Sequence, residues 1–153
     1  MVFKINIGTK QGKTYKLETN SEEIIGKELN QKILGKEISQ DLDGYEFEIS
    51  GASDSSGFTA IESVEGSGLK RILLSYEKGM KKRPKKEGKK KRSNSTPKGL
   101  RLRKTVRGKV ISPSIIQINL KILKEGKKSL KEIFPEQNKE TEIPKKEEAM
   151  LAK

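Results

Sequence analysis

Ile115-Ile116-Gln117-Ile118-Asn119-Leu120-Lys121-Ile122-Leu123 decides how the chain is read. Ile116, Ile118, Leu120 and Ile122 fall on one side, and Gln117, Asn119 and Lys121 on the other. This is the period-two pattern of a strand with one buried face. Residues 105–111 read as a second strand, separated from the first by Ser112-Pro113. Upstream, residues 69–76 read as a third, with Ile72-Leu73-Leu74 an apolar run consistent with a buried strand.

Between these strands lies KGMKKRPKKEGKKKRSNSTPKGLRLRKTVRGK, residues 78–109. It holds sixteen of the chain's 34 bases and only one of its 21 acids, Glu87, so the rest of the chain is slightly acidic. The net charge of +13 is therefore concentrated in this stretch. Strands on both sides make it an insertion within one sheet system, its ends held and its middle projecting. Like charges at this density repel and stay extended until an anion neutralises them. Closely spaced phosphates do this best, because each neutralised phosphate releases condensed counterions. Nucleic acid is the expected partner, ahead of a merely solvated linker.

The two halves of the stretch differ. Lys81, Lys82, Arg83, Lys85, Lys86, Lys89, Lys90, Lys91 and Arg92 form a mostly lysine run suited to point-charge neutralisation of a phosphate backbone. Arg101, Arg103, Lys104 and Arg107 follow, and their guanidinium forks can grip phosphates bidentately. Leu100, Leu102 and Val106 alternate with Arg101, Arg103 and Arg107. That spacing directs apolar groups towards the domain and arginines towards the ligand. No aromatic residue lies between Met80 and Lys109, so a base-stacking platform is not expected. The pattern favours folded RNA read by backbone and shape.

Towards the amino terminus, residues 2–7 and 13–18 read as a hairpin around a Gly8–Gly12 turn, with Phe3, Ile5, Ile7, Tyr15 and Leu17 inward. Asn20-Ser21-Glu22-Glu23 resembles a helix start, and Ile24, Ile25, Leu29 and Ile33 make a helical stripe. Tyr45, Phe47 and Ile49 alternate with Glu46 and Glu48 as a strand that ends in the small-residue loop SGASDSSG; a short strand is expected at 58–61. At the other end, residues 129–134 suggest one helical turn, and the mixed-charge residues 136–153 are expected to be disordered.

Composition narrows the chemistry. Hydrophobic residues make up 31% and charged residues 36%, enough for a core only if the charged runs lie outside it. With neither cysteine nor histidine, the chain lacks the usual thiolate, general base and commonest metal ligands. No catalytic set, metal site, cofactor or small-molecule substrate is expected. Gly8 to Gly12 has three residues between its glycines where a P-loop has four, and Gly66-Ser67-Gly68 lacks the third glycine of a dinucleotide fingerprint. No run of roughly 20 apolar residues spans a membrane, and the first residues do not read as a signal peptide. A soluble intracellular protein is expected.

GYEFEISGASDSSGF, RILLSYEKGM, RPKKEG and RLRKTVRGKVISPSIIQINLKILKEG occur in that order. Together they resemble the archaeal and eukaryotic ribosomal protein S6e family of the small subunit, over residues 2–126. The sharpest parts are Ile49-Ser50-Gly51 with Asp54 and Gly57, and Arg103-Lys104-Thr105-Val106-Arg107-Gly108. Ala52 stands where the family has a second glycine, Thr59 where it has a proline, and the tract 87–98 is longer. The long basic helical extension of the eukaryotic members is absent, so the resemblance is to the short archaeal type. The resemblance implies a mainly β fold: one small β-barrel-like domain, residues 1–126, with a basic insertion at 79–104; on composition the extension at 127–153 is expected to be largely disordered. It implies a non-enzymatic constituent of the cytoplasmic ribosome, contacting ribosomal RNA and neighbouring ribosomal proteins. Its RNA-contacting set would be Arg83, Lys85, Lys86, Arg103, Lys104 and Arg107; Lys89 to Arg92 join on charge alone. The competing reading is a free nucleic-acid-binding module outside the ribosome.

Overall fold

The computed structural model describes residues 2–76, 79–80 and 98–138. The fold is mainly β. Five strands form a mixed sheet in the order β2-β1-β7-β4-β3: β1 (Phe3–Gly8), β2 (Thr14–Thr19), β3 (Lys32–Leu34), β4 (Glu46–Asp54) and β7 (Ile115–Lys124). The strand that opened the sequence reading, β7, is the central one. It runs parallel to β1 and antiparallel to β4. A separate two-stranded ribbon pairs β5 (Leu69–Leu74) with β6 (Leu102–Arg107). These are the two strands that flank the basic insertion, so the ribbon is its stem.

Alternation fixes which face is buried. Phe3, Ile5 and Ile7 of β1, Tyr15 of β2, Phe47 and Ile49 of β4, and Ile118, Leu120 and Ile122 of β7 share one core. Ile115, not Ile116, is buried at the start of β7, because the pairing with β4 shifts register near Ser53/Asp54. The stretch after Ile49 is not the loop expected. Instead β4 continues to Asp54 through a bulge: Ile49 pairs with Leu120 and Gly51 with Asn119, leaving Ser50 as the extra residue. The Ser50 hydroxyl donates to the Asn119 carbonyl across 3.0 Å.

The expected helix at 20–33 does not form. Of its stripe residues, Ile24 and Leu29 are buried from a looped segment and Ile33 from a strand, while Ile25 is exposed. Gly26 and Asn30 adopt φ of 86° and 65°, left-handed values that a right-handed helix excludes. The segment's amides are satisfied elsewhere, with Gly26 donating to the Ile111 carbonyl and Leu29 to the Lys109 carbonyl. Ile33 belongs to β3. Residues 58–61 make only isolated bridges. The run Ile72-Leu73-Leu74, expected to be buried, is not: Ile72 and Leu74 are half-buried and Leu73 is 53% exposed.

Beyond β7 the chain turns back over the sheet. The Tyr45 hydroxyl donates to the Lys128 carbonyl, and a one-turn helix, α1 (Leu130–Ile133), buries Leu130 against the core. The Phe134 and Tyr15 rings lie 5.8 Å apart. Gln137 and Asn138, within the segment expected to be disordered, then cap the open edge of β2. The Gln137 side chain accepts from the Lys16 amide at 2.7 Å and donates to its carbonyl at 2.8 Å, as a paired strand would. Residues 139–153 and residues 81–97 of the insertion, which was expected to project, lie outside the described residues.

This cap is testable. Gln137→Ala removes both bonds at the β2 edge and is expected to cost about 1 kcal/mol, since each contributes little net in solvent. Amide exchange at Lys16 is expected to accelerate, while that of the central strand β7 stays unchanged.

Candidate nucleic-acid interface

The base of the insertion is held by an ion pair between the two sheets. Asp54 ends β4 and Arg107 ends β6, and Arg107 Nε donates to Asp54 Oδ2 across 3.0 Å. Both side chains are largely shielded, 16% exposed for Arg107 and 3% for Asp54. A tight turn presents the carboxylate: Asp54 Oδ1 accepts from the Phe58 amide at 2.8 Å. Burial pushes the Asp54 carboxyl upward, but the hydrogen bonds from Arg107 and the Phe58 amide outweigh it and hold the group below the usual carboxylate range. The Arg107 backbone is engaged as well, donating to the Thr59 carbonyl and accepting from the Ile61 amide.

The next residues extend this anchorage, although the sequence reading had continued a strand through them to Ile111. Gly108 passes so close to Gly66 that a Cβ would fall 1.9 Å from the Gly66 carbonyl oxygen. Only glycine fits there. The Lys109 ammonium sits between Glu65 at 3.1 Å and Glu28 at 3.2 Å. Hydrogen bonds to Glu65 and then Glu28 raise its pKa and keep it charged. The chain at 107–111 thus binds the loop at 59–66 on one side and residues 26–29 on the other.

Above this anchor the ribbon has two unlike faces. In an antiparallel pair, residues opposite one another project to the same side. Ile72 and Leu74 pack with Val106, Ile61 and Val64 in a small second core. The other face carries Leu69, Arg71 and Leu73 opposite Arg107, Thr105 and Arg103. The expected division of β6 therefore holds for Leu102 and Val106 against Arg103 and Arg107, although Arg107 is committed to Asp54.

The expected RNA-binding residues divide accordingly. Arg101 and Arg103 are exposed, whereas Lys104, opposite Ile72 on the packed side of the ribbon, is half-buried; none makes an ion pair among the described residues. Arg107 lies beside them but spends its Nε within the fold. Lys81, Lys82, Arg83, Lys85, Lys86, Lys89, Lys90, Lys91 and Arg92 lie outside the described residues. Sequence reasoning passed over Arg71, which is exposed on β5 two ladder positions from Arg103. It sat in a segment read as a buried strand, and the available signal was its alternation with Lys70 and Ile72.

A mixed β sheet joined to a clamped ribbon, the stem of a strongly basic insertion, defines a small β domain whose positive charge is concentrated in one stretch of the chain. Comparison with known proteins names the family. The family model for Ribosomal protein S6e matches residues 3–96 and 93–135. The small ribosomal subunit protein eS6 of Methanosphaera stadtmanae is 36% identical over 149 residues, covering 93% of this chain and 99% of that protein. That of Methanocaldococcus jannaschii is 36% identical over 125 residues, 82% of this chain and 84% of that protein. That of Archaeoglobus fulgidus is 36% identical over 138 residues, 88% and 96%. The chain belongs to the ribosomal protein S6e family. The two sequence motifs that first resembled it, around Asp54 and Arg107, meet in the ion pair described above.

Removing Arg107 leaves Asp54 as an uncompensated, shielded charge. Arg107→Ala is expected to lower unfolding stability by about 3 kcal/mol at neutral pH. The wild-type contribution of Asp54 is present above the ordinary carboxylate pKa and lost as pH falls through its lowered folded value. Urea unfolding at pH 7 and near pH 3 is therefore expected to show the wild-type–variant gap narrowing on acidification. A gap independent of pH would remove the carboxylate from the account.

Proposed function

We propose that the chain is a structural constituent of the small ribosomal subunit, bound to ribosomal RNA through its Lys/Arg-rich insertion. The observation that carries this reading is the near full-length likeness to the eS6 proteins of the small ribosomal subunit. The charge distribution supports the RNA part. Within residues 78–109, Arg107 and Lys109 are paired with acids of the fold, whereas Arg101, Arg103 and Lys104 have no acidic partner among the described residues. The lysine run at 81–92 adds the largest block of charge. Such binding is dominated by phosphate neutralisation, with base identity secondary.

The protein acts by binding and without catalysis, in keeping with a chain that has no histidine or cysteine. It works in the cytoplasm as part of the ribosome, alongside neighbouring ribosomal proteins. Among the described residues no helix is long and apolar enough to cross a membrane.

Expression of the tagged chain and gradient sedimentation separate this from a free nucleic-acid-binding module. The chain is expected to travel with the small subunit and to stay there through a high-salt wash. Release into the soluble fraction at modest salt would point to a free binder.

A further inference from the structure

The outward face of the β5–β6 ribbon combines features that ordinary solvated surface does not. Leu69 and Leu73, two positions apart on that face, are 48% and 53% exposed. Arg71 lies between them, and Arg103 is directly across the ladder from Leu73, with Thr105 across from Arg71. No acidic side chain occupies any of these ladder positions. Among the described residues neither Arg71 nor Arg103 has an ion-pair partner, whereas Arg107 at the end of the same face is held by Asp54. On the reverse side Val106 is buried, and Ile72 and Leu74 pack against the same small core.

We propose that this face, Leu69, Arg71, Leu73, Arg103 and Thr105, seats on the backbone of A-form RNA as a contact surface in addition to the lysine run. The proposal rests on the RNA-binding reading above. Charge complementarity selects the occupant, since a cationic face free of acids, continuous in sequence with a strongly cationic insertion, meets a polyanion best. Arg71 and Arg103 are diagonal ladder neighbours, roughly 7–8 Å apart at their backbones, so their two guanidiniums can reach neighbouring phosphates of one strand. The leucines give the arginines an apolar floor suited to the ribose edges of a shallow minor groove, and Thr105 supplies a hydroxyl for a 2′-OH or phosphate oxygen. With no aromatic residue on this face, recognition is by shape and backbone. The insertion then captures RNA at range, and the ribbon fixes how the RNA lies against the domain.

The test uses the full chain and an RNA duplex of about 20 base pairs of arbitrary sequence, roughly the span a shape-reading domain covers. Wild type, Arg71→Gln with Arg103→Gln, and Lys85→Gln with Lys86→Gln are titrated across a salt series. The ribbon double variant is expected to bind about 10–30-fold more weakly at 0.15 M salt, with a log–log salt slope shallower by about 1.5, from the loss of two phosphate contacts. Arg71→Lys with Arg103→Lys is expected to restore the slope, because the charge is kept. Leu73→Ser is expected to weaken binding at every salt concentration without altering the slope. If the ribbon variants bind with wild-type affinity and slope while the lysine variant is weakened, the ribbon is not an RNA surface, although the RNA reading stands. If the wild type itself shows no salt-dependent binding, both fail. Ribbon variants that bind RNA normally but fail to enter the small subunit would instead identify a neighbouring protein as the occupant.

Discussion

The arrangement depends on the ion pair between Asp54 and Arg107. These residues end strands in different sheets, and no continuous hydrogen-bonded ladder joins those sheets. The join is made by a short segment, 107–111, whose backbone is bonded to two loops and whose side chains meet Asp54, Glu28 and Glu65. The apolar support behind the ribbon is small, comprising Ile61, Val64 and Val106 with Ile72 and Leu74 packed against them. A two-stranded ribbon is marginal on its own. The charged clamp therefore carries a share of the ribbon's stability that the main core carries for the other strands.

This explains how one charge-rich stretch serves two purposes. Near the sheet, cations face carboxylates of the same chain and become part of the fold. Further along β6 and on β5, cations have no such partner among the described residues. The boundary falls between Thr105 and Arg107, within a single strand. A wholly external basic arm would position nothing, and a wholly neutralised one would bind nothing. Here the neutralised end orients the available end.

Much of this was legible in the sequence, for definite reasons. Strict alternation in β1, β4 and β7 identified the strands and, apart from Ile116 at the register shift, their buried faces, since a one-residue slip would have exposed every apolar side chain. Placing strands on either side of the basic stretch identified the insertion. What alternation does not encode was missed. The segment 20–33 has helical spacing, but its left-handed Gly26 and Asn30 and its bonds to residues 109 and 111 are tertiary facts. SGASD reads as loop because small residues favour turns, yet small residues also admit the bulge that carries β4 to Asp54. The docking of Gln137 and Asn138 depends on the free edge of β2, which the local sequence does not reveal. In the site, the arginine spacing of β6 was visible, whereas the pairing of Arg107 with Asp54 across 53 positions was not.

The division of charge along the stretch is the central claim, and RNA crosslinking of the assembled small subunit, mapped by mass spectrometry, tests it most directly. Crosslinks are predicted from the lysine run at 81–91, with Lys109 silent because it is held between Glu28 and Glu65. Crosslinks concentrated instead on Lys109, or on the sheet lysines Lys4, Lys16 and Lys121 with the basic stretch silent, would contradict it.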